Sequence, residues 1–218
     1  TTPEGYQIAT DFTGYAGNGV TPDVVTMNRA HSSHYTDFPD PAIPHVLRGW
    51  QSVDGSFPAQ HRLVLGDTLI RNVTTDIRSF SGRQEDGNSI FIFEAGGLCI
   101  GHVGHLHHEP SDAQYALIGR LDVVMVPVDG GLTVDVPTMI RITERLRASI
   151  VIPMHWFGFG TLRSFVAGMS ERYVLVQEED WETTVSLRDL PSIPEIRVLS
   201  GSVDLSGGVP QFGPRATP

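Results

Sequence analysis

The chain has 218 residues, 15 of them basic and 25 acidic, with nine His and a formal net charge of -10. That length suits one large domain or two small ones, and 40% apolar with 18% charged residues is the balance of a folded globular protein with a sizeable core. The acidic balance argues against a nucleic-acid partner, no apolar run is long enough for a membrane helix, and a single Cys, Cys99, excludes both a disulfide framework and a Cys-based zinc site within the chain.

The start, Thr1-Thr2-Pro3-Glu4-Gly5, has neither the basic nor the apolar region of a signal peptide. It lacks a Met and opens on a turn followed at once by the strand-like segment Tyr6–Phe12, so a partner strand is expected to precede Thr1. The compartment therefore stays open between cytoplasmic and periplasmic or secreted, for a soluble protein in either case.

Further β-like segments are Val24–Met27, Arg62–Leu65, Thr68–Arg78, Ser89–Glu94 and Leu98–Val103, with Glu85-Asp86-Gly87-Asn88 read as a turn. Ser89–Glu94 and Leu98–Val103, joined by Ala95-Gly96-Gly97, predict a hairpin. From about residue 110 the pattern changes to β–α units. Ser111 is an N-cap for a helix over Asp112–Leu117, and Leu121–Val128 is an apolar run typical of a doubly buried strand. Asp135 caps a helix over Pro137–Arg147 that aligns Met139, Ile142 and Leu146 on one face. Ser149–Met154, Tyr173–Gln177 and Glu195–Leu199 read as strands, and Leu162–Met169 as a helix. Together these predict one α/β domain over residues 1–200 with a Pro- and Gly-rich tail over 201–218.

The main functional signal is the clustering of histidines where strands run out. His31 and His34 follow Val24–Met27; His102, His105, His107 and His108 follow Leu98–Gly101; His155 ends Ser149–Met154. Loops at strand ends build sites in α/β sheets, and imidazole is the commonest metal ligand. Each cluster alone also suits a hydrogen-bonded or solvated loop. His45 and His61, isolated near turns, are read as surface residues.

The chain resembles the metallo-β-lactamase superfamily, in particular the metal-dependent hydrolase branch related to L-ascorbate-6-phosphate lactonase. The resemblance rests on Asp23-Val24-Val25-Thr26-Met27 before the first cluster and on Asn88–Glu94 leading into the hairpin. It continues with Ile100-Gly101-His102-Val103-Gly104-His105, Leu121–Gly131 containing Pro127-Val128-Asp129-Gly130-Gly131, and Ile150-Val151-Ile152-Pro153-Met154-His155. It implies an α/β four-layer αββα sandwich whose first N-terminal strand is missing from this chain.

The same resemblance implies metal ligands, and here the pattern departs from the family's. At positions where the family has His, His, Asp and His stand Arg29, His31, Ser33 and His34, and the bridging Asp is His105. Arg29 cannot ligate and repels a dication. One half-site therefore retains only His31 and His102, while His34, His105 and His155 offer three neutral imidazoles. The expectation is one divalent metal on His34, His105 and His155, with His102 in place of His34 as the other grouping; zinc is favoured over iron or manganese. His31 or His102, whichever is not a ligand, is the expected base. Arg29 is the candidate anchor for a substrate carboxylate or phosphate, with Asn88 and Asp129 as further substrate-facing candidates that equally suit ordinary turns.

The reading favoured is a mononuclear metal-dependent hydrolase that uses activated water on an ester, lactone or phosphoester of a small molecule. The alternatives are a non-catalytic binding or scaffold domain, motivated by the lost carboxylates, and iron-dependent redox chemistry. A homo-oligomer is compatible with all three.

Overall fold

The structure is a computed structural model and describes residues 1–80 and 82–199; the tail over 201–218 lies outside the described residues. The chain forms two compact units, divided between Gly119 and Arg120. That division lies close to the change of pattern expected near residue 110. The fold class is α/β, with parallel and antiparallel pairing both present.

The first unit holds two sheets. One is parallel and places β2 (Val24–Met27) between β1 (Ile8–Ala9) and β3 (His45–Arg48). The second is antiparallel and runs through β4 (Arg62–Leu65), β5 (Thr68–Ser79), β6 (Gly82–Ala95) and β7 (Leu98–His102). Val24 and Leu47 of the parallel sheet pack on Ile70, Phe91 and Phe93 of the antiparallel one. The opposite face of β2 presents Val25 and Met27 to Phe12, Ile43 and Trp50. Burial on both faces is why β2 reads as an unbroken apolar run. Each such side chain, fully buried, contributes about 1.5–3 kcal/mol.

Helix α1 (Asp112–Ile118) closes this unit. Its N-terminus carries the expected Ser111 cap as a full capping box with Gln114. Its C-terminal carbonyls, Leu117 O and Ile118 O, accept hydrogen bonds from Arg71 on β5.

The second unit is built of β–α units: β8 (Val123–Pro127), α2 (Val136–Leu146), β9 (Ile150–Met154), α3 (Phe159–Met169), β10 (Val174–Glu178) and β11 (Glu195–Leu199). All the strand pairs given for this unit are parallel, in the order β8, β9, β11, β10. Asp135 caps α2 by accepting the Thr138 N–H at 2.7 Å, and Met139, Ile142 and Leu146 form its buried face, as the spacing predicts.

Several expectations are corrected. The strand predicted over Tyr6–Phe12 shrinks to two residues, because Asp11 takes a positive φ of 48° and turns the chain. Glu85-Asp86-Gly87-Asn88 is no turn but the interior of β6. A Cβ on Gly87 would lie 2.5 Å from Ile77 Cγ1, beside the register shift between Thr75 and Ile77, so this glycine admits a neighbouring side chain rather than reversing the chain. Strand β3 went unpredicted, since Pro44 precedes it and only four residues pair. His61 is buried rather than on the surface, and its Nε2–H donates to Arg48 O at 2.7 Å.

Candidate metal centre and the histidine clusters

Parallel strands need long crossovers, and those leaving β1 and β2 carry the first part of the site. Both leave the C-terminal ends of neighbouring parallel strands, so Asp11 after β1 and Asn28 after β2 meet. Asn28, completely buried, donates from Nδ2 to Asp11 Oδ1 at 3.0 Å and accepts the Ser89 N–H at Oδ1 at 2.8 Å. It thus ties the crossover to β6 and fixes the Asp11 carboxylate.

Two imidazoles face that carboxylate. His34 Nε2 lies 3.9 Å and His102 Nε2 3.8 Å from Asp11 Oδ2. His34 ends a 3-10 turn over Ser32–His34, and its Nδ1 shares the Ser33 hydroxyl with His31 Nδ1, at 3.0 and 2.7 Å. Ser33, which stands where the resemblance would place an Asp ligand, is therefore a bridge between two rings. His31 itself is exposed.

His102 ends β7 and is almost fully buried. Burial pushes its pKa down against the opposing pull of Asp11, which keeps the ring neutral. Its Nδ1 accepts the Gly104 N–H at 3.2 Å, so the neutral ring carries its proton on Nε2, toward Asp11. The His105 ring stacks on His34 with centroids 4.5 Å apart, and the His105 backbone N–H donates to Asn88 Oδ1 at 3.0 Å.

The second unit presents His155 at the end of β9 with a left-handed φ of 54°, a conformation uncommon for a side-chain-bearing residue. Its Nδ1 lies 2.9 Å from Asp129 Oδ2. Because the carboxylate can only accept, Nδ1 holds the proton and Nε2 the lone pair. Asp129 Oδ1 accepts the Gly131, Leu132 and Thr133 N–H groups, and Oδ2 also accepts the Thr133 hydroxyl. Burial pushes the Asp129 pKa up, but the bonds from Thr133, Gly131 and His155 outweigh it and hold the carboxyl far below the usual range.

The structure thus brings together His31, His34, His102 and His105, with Asp11, in the first unit. Asn88 and Asp129, candidates for facing a substrate, are occupied by the protein itself. Asn88 is completely buried, its Nδ2 on Thr75 Oγ1 and Val103 O and its Oδ1 on the His105 N–H. Asp129 holds its loop and His155. Arg29 is exposed, with its backbone N–H on Gly87 O.

Among the described residues, no three His, Cys, Asp or Glu side chains stand as a ready metal-binding group. Donor atoms sharing one zinc at bonds of ~2.0–2.1 Å would lie about 3.3 Å apart, so His34, His102 and Asp11 are gathered but more open than a closed centre. The donor chemistry, imidazole with carboxylate, suits a divalent ion, and His34 meets the lone-pair requirement because its Nδ1 partner is a hydroxyl that serves either tautomer. Asp11 and Asn28 escaped the sequence reading. Their only signal is a polar residue at the end of an apolar segment.

Residues 1–155 match the profile of the beta-lactamase superfamily domain, and the chain belongs to that family. Among curated proteins it is 28% identical to a UPF0173 metal-dependent hydrolase of Methanospirillum hungatei, over 68% of this chain and 74% of that one. It is 22% identical to a second UPF0173 metal-dependent hydrolase, from Thermoplasma acidophilum, over 72% of this chain and 78% of the relative. Among solved structures, a metallo-β-lactamase superfamily protein of Thermotoga maritima superposes with a TM-score of 0.56 at 24% identity, covering 83% of this chain and 82% of the other. The metallo-β-lactamase fold protein YhfI of Bacillus subtilis gives a TM-score of 0.51 at 10% identity over 84% and 77% of the two chains. Both likenesses are of fold.

Proposed function

We propose that this chain is a metal-dependent hydrolase acting on a small molecule with an ester, lactone or phosphoester bond. The observation that carries the reading is the facing of His34 Nε2 and His102 Nε2 toward one oxygen of Asp11, at 3.9 and 3.8 Å. The relatives named metal-dependent hydrolases support the same class. The ascorbate-6-phosphate lactonase branch remains a proposal drawn from the motifs.

In the first unit, His34 and His105, the ligands the resemblance implies, together with the Asp11 carboxylate that faces His34, are the residues proposed to hold the ion, with zinc favoured by the imidazole donors. The ion, when bound, supplies Lewis-acid polarisation of the substrate oxygen and activation of water. Asn28 keeps the Asp11 carboxylate in place, and Ser33 keeps the His34 ring oriented through Nδ1. His31, exposed and joined to Ser33, is the favoured proton acceptor, because His102 is buried with its Nδ1 engaged. Within the second unit, Asp129 sets the tautomer of His155 and leaves its Nε2 with a lone pair. The exposed Arg29 is the proposed anchor for a substrate anion.

Elemental analysis of protein purified without added metal or a His tag, with turnover of ester and phosphoester substrates, tests the proposal. The expected result is stoichiometric divalent metal and turnover that falls at least a hundredfold in His34→Ala. Protein with no bound metal, or with turnover unchanged in His34→Ala, refutes it. Saturable ligand binding without turnover would favour the non-catalytic alternative.

A further inference from the structure

Strands β3 and β4 each lie at the end of their sheet, and a cavity of about 760 Å³ opens along them. It is lined by His45 and Arg48 of β3, Arg62 and Leu63 of β4, and Pro44 and Val53 nearby. The volume falls within the ~300–1,000 Å³ of small-molecule sites. None of these residues belongs to the histidine and Asp11 group.

The walls are built. His61, which also lines the cavity, is fixed at both ends, its Nε2 on Arg48 O and its N–H on Asn72 Oδ1, each at 2.7 Å. Asp54, on the same lining, accepts the N–H and hydroxyl of Ser56 at 3.0 and 2.7 Å.

The two arginines differ from the rest of the wall. Neither the Arg48 nor the Arg62 guanidinium has an ion pair or hydrogen bond among the described residues. Arg71, directly opposite Arg62 on β5, is held by Glu94 at 2.7 Å and by two carbonyls of α1. Arg197 is likewise paired, with Glu195 at 2.7 Å. In a chain with 25 acidic residues, two arginines of one cavity have thus recruited no carboxylate. A guanidinium presents a planar fork of donors that matches phosphate and carboxylate oxygens. Pro44, Val53 and Leu63 offer apolar surface beside that charge, and Val53 is 82% exposed.

We propose that the cavity along β3 and β4 is a binding site for a small amphiphilic anion, its phosphate or carboxylate group held by Arg48 and Arg62 and its apolar body resting on Pro44, Val53 and Leu63. The site stands apart from the hydrolase reading and does not depend on it.

Titration of the full chain with phenylphosphonate, which cannot be hydrolysed as an ester, tests this by backbone amide NMR. Benzoate serves as the carboxylate probe and benzyl alcohol as the uncharged one. Saturable shifts confined to residues 44–63 are expected for one or both anions, with benzyl alcohol at least tenfold weaker. Which anion binds more tightly assigns the head group. R48Q/R62Q should weaken the anion at least tenfold. The proposal is overturned if neither anion saturates, if benzyl alcohol binds equally well, or if R48Q/R62Q binds with wild-type affinity. Shifts centred on His31–His34 and His102–His105 also overturn it, since they place the anion at the metal centre. Should the double variant lose its dispersed spectrum, R62Q alone, at an exposed position, decides by the same comparison.

Discussion

Gly104 lies between His102 and His105 with a φ of +63°, and a Cβ there would stand 2.3 Å from Asn28 Nδ2 and 2.5 Å from Asn88 Oδ1. Both amides are completely buried and hold the site: one fixes Asp11 and β6, the other the His105 backbone. In Gly104→Ala the left-handed backbone alone costs about 1–2 kcal/mol. Displacing either amide removes one or two hydrogen bonds at about 1 kcal/mol each. The sum is a loss of about 2–4 kcal/mol. With a urea slope of about 2 kcal/mol/M, the midpoint of urea unfolding should fall by about 1–2 M. Asn28→Ala vacates part of the space the new methyl needs. A double-mutant cycle should then give a coupling of about 1 kcal/mol, with Gly104→Ala less harmful in the Asn28→Ala background. A midpoint unchanged by Gly104→Ala, or strict additivity with Asn28→Ala, refutes the argument that this glycine makes room for the amide scaffold.

Three further outcomes are expected. Asp129 has a native pKa depressed below its unfolded value, so its stabilisation is complete above about pH 4 and is lost as pH falls through the native value. Asp129→Asn should flatten the acid limb of the stability–pH curve measured by urea unfolding. Stripping metal with a chelator should lower the thermal midpoint, and zinc should restore it by mass action; scanning calorimetry with and without zinc checks this. Arg71→Met leaves the Leu117 and Ile118 carbonyls without their guanidinium donors and should cost about 1–2 kcal/mol in urea unfolding, with early amide exchange in α1.

Much of the fold was legible because its signals are local. The apolar run Val24–Met27, the Ser111 and Asp135 caps, and Gly96-Gly97 with φ of 58° and 79° at the hairpin turn all act within a few residues. Such positions declare themselves through periodicity, side-chain capping and steric freedom. Strand β3 and the interior run of β6 through Gly87 were not legible, because short pairing and a glycine that accommodates Ile77 depend on the neighbouring strand.

The sequence by itself determined the class of fold, the order of most elements and the histidine-bearing strand ends, since each depends on residues close together in the chain. Only the tertiary structure decided which groups meet. Asp11 joined His34 and His102, Asn28 and Asn88 became scaffold, and Asp129 turned to His155. The physical reason is that a carboxylate or amide in a loop has the same local chemistry whether it faces water, backbone or imidazole. Its role is set by the partner that chain crossovers bring within a few ångströms, and no local pattern encodes that distance.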